Sequence, residues 1–230
     1  MKSPREVLIN LANEVDAEFA RRRSQAFVTW SWVEHAAARV WASPDSEQRR
    51  EAVVGLLCAV GNFKRQTPIS LGSQAREVTS PQRSTSLELP GILETPVIVD
   101  EHPQSVRVLT RGDGIGTATA TAVLSALFPE NHAIMDVRSA PVAAAWARAL
   151  AVAAPGPHHD DSRPAVVSDD DYAGWYHGVV HSLALEAVVG VRAIERVCFL
   201  ARVNTSGYES WDDFADALVT KGRDGWSRGL

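Results

Sequence analysis

The stretch RGDGIGTATATAVLSALFPENHAIMDVRS, Arg111 to Ser139, decides how this chain is read. Glycines stand at every second position, Gly112, Gly114 and Gly116, and a segment rich in alanine and threonine follows them. Such a run lets the backbone take positive φ. It also leaves amide N–H groups unobstructed directly ahead of a helix N-terminus, where the positive end of the helix dipole lies. A corner of this kind binds an anion through main-chain dipoles and needs no lysine. TATATAVLSALF opens with strand-like alternation, but its alanine content and the spacing of Val123, Leu124 and Leu127 predict a helix. Pro129 ends it, because the residue before a proline avoids helical angles. The apolar HAIMD then delivers one carboxylate, Asp136, at the head of DVRSAPVAAAWARALAVAA, a second expected helix with Pro141 in an early turn. Taken alone, Asp136 reads as a helix N-cap, a position that aspartate favours.

Two nucleotide motifs are excluded. Thr119 stands where G-x-G-x-x-G needs its third glycine, and no GK[ST] follows the turn.

Upstream, PREVLINLANEVDAEFARRR spaces Val7, Leu8, Leu11, Val15 and Phe19 by three and four, which makes one apolar stripe, with Ser3 as N-cap and Pro4 in the first turn. FVTWSWVEHAAARVWA and PDSEQRREAVVGLLCAVGNF repeat the pattern, separated by Ser43 and Pro44. Prolines recur at 68, 81, 90, 96 and 103, so a loop-rich insert is expected over 80–104, with a helical stretch around Ser73–Thr79 and TPVIVD as the one good strand. Downstream, PGPHHDDSRPAVV reads as a loop. SDDDYAGWYHGVVHSLALEAV opens on Ser168 as N-cap with three aspartates in the first turn, and VRAIERVCFLARV and SWDDFADALV supply two further short helices. The expected fold class is mainly α, with at most a small β element.

A length of 230 residues suits one domain or two lobes sharing a core, and 45% apolar with 22% charged residues is the balance of an ordinary globule. MKSPREVLINLANEVDAEF has no apolar core of secretory length and no 18 apolar residues run together, so neither export nor a membrane span is expected. Cys58 and Cys198 are too few for a four-thiolate zinc site or an iron–sulfur cluster and fit a reducing compartment, so the cytoplasm is expected. With 23 basic against 28 acidic residues the net charge is −5, and the field of the whole molecule does not attract polyanions. Nucleic acid would have to be held by backbone amides or a local basic face; the clusters Arg21–Arg23, Arg49–Arg50 and Lys64–Arg65 of GNFKRQ are available, though each reads better as a solvated helix face.

His158, His159, Asp160 and Asp161 are ligand-type residues, but neighbours in a loop rarely converge on one ion. His177 and His181 share a helical face without a third ligand, so no metal is expected. Trp30, Trp32, Trp146, Trp175 and Tyr176 could stack on a base, yet each reads better as core, and none is assigned a role.

GDGIGTATA together with FPENHAIMDVR resembles the helix-hairpin-helix (HhH-GPD) DNA glycosylases of base-excision repair, and in particular their bacterial branch. In that family a pGvGp.tA hairpin is followed by a helix and then by a turn ending in vD.r or vDth. DYAGWYHGVVHSLALEAVVGVRAIERVCFLARV is similar to the paired helices that come next, so the likeness runs from about Leu109 to Val203. From Gly116 to Asp136 is twenty residues (136 − 116), most of which the intervening helix occupies.

The resemblance implies a single domain over 1–230, two helical lobes around a cleft, with the hairpin and catalytic segment at 104–140. It implies that Asp136 is the catalytic carboxylate, and that Gly112, Gly114, Gly116 and the N–H of Thr117 or Ala118 hold a DNA phosphate. Lys64 and Arg65 would bind flanking phosphates, and Asn62 or Gln66 would fill the space an extruded base leaves. Read from the residues alone, Arg138 pairs with a carboxylate or a phosphate, or forms a structural salt bridge.

Two departures refine the implied activity. Ala118 stands where bifunctional members carry a lysine, so no Schiff base and no strand cleavage are expected, and the cysteine quartet of the cluster-binding members is missing. A monofunctional glycosylase of double-stranded DNA is implied, monomeric and without metal or other cofactor. Its target would be a damaged base, or a modified base of phage DNA in antiviral defence. The alternative is a non-catalytic helix-hairpin-helix DNA-binding or scaffold protein.

Overall fold

The apolar stripes spaced by three and four do form helices, and the chain is mainly helical. A computed structural model describes residues 2–22, 25–65, 84–90, 96–152, 168–201 and 208–226. The expected helix around Ser73–Thr79, the loop PGPHHDDSRPAVV and Gln66 lie outside the described residues. By its internal packing the chain divides into two compact units, one of residues 1–22 with 133–230 and one of residues 23–132. No described helix is long and apolar enough to cross a membrane.

In the first unit, α1 (Pro4–Arg22) begins under a reciprocal cap. The Ser3 amide donates to Glu6 Oε2 at 2.7 Å and the Glu6 amide to Ser3 Oγ at 3.3 Å, so two otherwise orphan donors are satisfied. Its stripe of Val7, Leu8, Leu11, Val15 and Phe19 is buried throughout. The stripe packs on α8 (His177–Ala187), α9 (Val191–Leu200) and α10 (Trp211–Arg223). The approach to α10 is close: a Cβ on Gly222 would lie 2.6 Å from Val7 Cγ1, so any larger residue there would force the Val7 side chain to shift. α6 (Ser139–Ala149) packs on α8, α9 and α10 through Trp146, Val142 and a run of alanines.

Ahead of α8, Ser168 caps the single turn α7 (Asp169–Asp171), accepting from the Asp171 amide at 3.1 Å. A π-type turn, Tyr172–Tyr176, then joins α7 to α8 and buries Tyr172, Trp175 and Tyr176. The sequence reads this region as ordinary helix, since an i, i+3, i+4 apolar pattern does not separate the two.

The second unit pairs α2 (Gln25–Ala42) with α3 (Ser46–Arg65). Ser43 Oγ donates to the Arg39 carbonyl at 2.8 Å at the end of α2, and Asp45 Oδ1 accepts from the Gln48 amide at 2.9 Å to start α3. TPVIVD becomes β2 (Val97–Asp100), as expected, but it has a partner the sequence reading missed, β1 (Ser86–Leu89). The strands run antiparallel with Leu87 opposite Val99 and Leu89 opposite Val97, all four side chains inward. SLEL is too short for its alternation to stand out among the prolines. A five-residue helix, α4 (Ser105–Leu109), also went unread for its shortness. It leads into the glycine turn and α5 (Thr117–Leu127), and α5 packs on α2, α3 and α4.

Candidate functional site

The glycine turn grows out of α4. The Gly112 amide donates to the Leu109 carbonyl at 3.0 Å, and the Gly112 carbonyl accepts from Ile115 at 3.1 Å. Gly112 is therefore buried and its donor is used within the turn, whereas Gly114 and Gly116 are exposed. Gly114 has φ +77°, a left-handed conformation that glycine adopts without strain.

Gly116 differs. It is the N-cap of α5 at φ −79° and ψ 167°, angles open to any residue, and a Cβ built there would meet nothing within 4 Å. Neither backbone strain nor crowding demands glycine at 116. What the missing side chain does is leave the helix start bare. The Gly116 carbonyl accepts from Thr119 and Ala120, both at 2.9 Å, and no side chain caps α5. Among the described residues the amides of Gly116, Thr117 and Ala118 meet no acceptor. Three donors at the positive end of a helix dipole are a ready anion site.

Lys64 and Arg65 belong to the same unit and form the last turn of α3, where cations also suit the negative end of the dipole. Arg65 is exposed, and Lys64 and Asn62 are half-buried.

The other end of α5 is tied down. Trp41 Nε1 donates to the Leu127 carbonyl at 3.2 Å, and Phe128, next to Pro129, leaves helical angles at φ −129° and ψ 66°. His132, fully buried, holds its Nε2 3.0 Å from the Asp100 carbonyl. The Arg111–Ser139 stretch then passes from the second unit into the first, at Ala133.

There Asp136 sits in a buried polar cluster. Its Oδ1 accepts two main-chain bonds, from Arg138 and Ser139, each at 2.8 Å. Ser139 returns the contact, with Oγ accepting from the Asp136 amide at 3.0 Å and donating to the Ile134 carbonyl at 3.1 Å. The Tyr176 hydroxyl donates to the same carbonyl at 2.7 Å. Asp136 stands two residues ahead of Arg138, the N-cap residue of α6, rather than at the cap position itself, and its carboxylate is fixed in rotation by the amides of Arg138 and Ser139. The second oxygen, Oδ2, faces the Arg138 guanidinium at 3.9 Å, and 12% of the Asp136 side chain is exposed.

Burial pushes the Tyr176 hydroxyl and the Cys198 thiol well up, with Glu195 and Asp136 adding to the effect. Both stay protonated at neutral pH, so Tyr176 serves Ile134 as a neutral donor and Cys198 is no nucleophile.

Of the aromatic residues weighed for stacking, Trp30, Trp146, Trp175 and Tyr176 are core and Trp32 is half-buried. The His177 and His181 rings lie 4.4 Å apart on α8, and no metal-binding group of three or more is found among the described residues. His158, His159, Asp160 and Asp161 fall outside the described residues. A wide cleft of about 760 Å³ in the first unit is lined by α1 and the end of α10, including Glu14, Glu18, Arg21, Arg223 and Trp226, and not by Asp136, the glycine turn, Lys64 or Arg65. Comparisons with protein-family models, with curated proteins and with solved structures return no match.

Two residues that support Asp136 escape the sequence reading. Ser139 was signalled, since aspartate followed three residues later by a hydroxyl is a cap with its return contact. Tyr176, forty residues on from Asp136 (176 − 136), carried no local signal.

Proposed function

We propose that this chain is a monofunctional DNA glycosylase, in which the glycine corner grips the DNA backbone and Asp136 acts on the sugar of an extruded nucleotide. The observation that carries the reading is the start of α5, where three amides are left open by a glycine that the local backbone does not require. Main-chain donors of this kind reconcile phosphate binding with a net charge of −5.

In this reading the target base leaves the duplex at a cost of a few kcal/mol, offset by phosphate contacts on both sides. Breaking the N-glycosidic bond builds positive charge on the deoxyribose, as in other glycoside hydrolyses. Asp136 Oδ2 opposes that charge and orients the water that attacks C1′, while Oδ1 stays on the amides. Water adds its oxygen to C1′, the base leaves with the bond electrons and takes up a proton, and the strand stays whole. Ala118 supplies no amine, which agrees with hydrolysis rather than β-elimination.

A second reading is favoured by the cap itself: a carboxylate occupied in starting α6 also suits a non-catalytic DNA-binding protein. Mass spectrometry of free bases released from a panel of alkylated, oxidised and phage-modified double-stranded DNAs separates the two. Release by the native chain and none by Asp136→Asn supports the enzyme. DNA binding without release from any substrate supports the scaffold, and no binding even at low salt removes both.

A further inference from the structure

We infer that Arg138 is a transferable counter-ion, resting on Asp136 in the free protein and moving to a DNA phosphate in the complex, so that backbone engagement uncovers the carboxylate. The inference deepens the glycosylase reading and rests on it.

The resting position is set on three sides. The Arg138 amide is bound by Asp136 Oδ1, its guanidinium lies 3.9 Å from Oδ2, and the same guanidinium sits over the Phe199 ring at 5.8 Å. Oδ2 has no hydrogen-bond donor among the described residues, and its ion-pair partner there is Arg138. A cation in that place cancels the field that an oxocarbenium-like sugar requires. The enzyme therefore works best with Arg138 displaced.

Displacement is easy. At 3.9 Å and with 57% of the Arg138 side chain exposed, the pair is long and well screened, and Asp136 keeps both of its amide bonds when it breaks. Beside it Val137 is 65% exposed, so the surface around Asp136 lies open to a partner. A phosphate offers the guanidinium a planar, bidentate and doubly charge-assisted contact, stronger than the one it leaves.

Two DNA duplexes test this without knowledge of the target base. One carries a tetrahydrofuran abasic residue and the other a pyrrolidine residue, whose protonated nitrogen mimics the sugar cation. The native protein should prefer the pyrrolidine duplex, and Asp136→Asn should lose that preference. Arg138→Gln should bind both duplexes roughly three- to tenfold more weakly at about 0.1 M salt, with the slope of log affinity against log salt falling by about one, and it should keep the pyrrolidine preference or raise it. Arg138→Lys should restore most of the salt slope.

Unchanged affinity and slope in Arg138→Gln would show that the arginine never reaches phosphate and would overturn the inference. Loss of the pyrrolidine preference in Arg138→Gln would also overturn it, making Arg138 a fixed support. A native protein that binds both duplexes equally, with Asp136→Asn the same, would sink the glycosylase reading itself. The two failures are thereby distinguished.

Discussion

Two helices of this chain begin in opposite ways. α5 starts on Gly116 with no side-chain cap and three amides open, while at the start of α6 Asp136 Oδ1 takes up the amides of Arg138 and Ser139, and Ser139 Oγ takes up the amide of Asp136 in return. The physics at the two ends is the same, since each helix leaves orphan amides at its positive pole. The use differs. Where the chain provides no acceptor, the pole is available to an outside anion. Where it provides a carboxylate, the pole holds that carboxylate in one orientation and leaves a single oxygen, Oδ2, outward. The first arrangement suits binding and the second suits precise placement of charge.

The contrast breaks most sharply at Asp136. Asparagine keeps an acceptor for both amides, so Asp136→Asn should unfold within about 0.5 kcal/mol of the native protein yet lose base release by roughly 10²–10⁴-fold. Asp136→Ala should lose both activity and about 1 kcal/mol of stability, measured by denaturant titration.

Next in size is Ser139→Ala. It leaves the buried Asp136 amide without its acceptor and should cost about 1–3 kcal/mol in the same titration.

Gly116→Val tests the open pole. The backbone there accepts any residue and a Cβ meets nothing, so only the poorer N-cap preference of valine counts and melting should shift by no more than about 4 °C. A side chain over the amides should nonetheless weaken binding to a plain duplex by about tenfold. α9 also begins on an uncapped glycine, and Gly190→Ala is the control that should leave affinity unchanged. If both variants behave alike, the hairpin has no special role.

Gly114→Ala should do the reverse of Gly116→Val, costing about 1 kcal/mol of stability through its φ of +77°. The smallest effect is chemical. Iodoacetamide at neutral pH should modify the exposed Cys58 and spare Cys198, whose thiol burial and the nearby carboxylates hold protonated.

Much of this was legible in the residue order. Val7, Leu8, Leu11, Val15 and Phe19 announced a buried helix face, Ser3 and Ser168 announced helix starts, Pro129 announced an end, and the GDGIG turn sat ahead of a helix as its composition required. These features depend on neighbours within a turn or two, and such interactions are written locally. The unread ones were short or distant. β1 has four residues and α4 five, too few for a period to show, and the strand pairing that defines β1 joins positions about ten apart across a proline-rich segment.

What the sequence determined by itself was the set of helices and the polarity of each face, together with the two helix starts that matter most, because propensity, capping and periodicity act over a few residues. Which helices share a core was decided only in three dimensions. α1 reads as the first of three similar helices, yet it packs with α8, α9 and α10, and α2 and α3 belong to the other unit. An apolar stripe states that a face will be buried, not against what. That choice is made by the fit of particular surfaces, as at Gly222 against Val7, where a Cβ would push into the Val7 side chain.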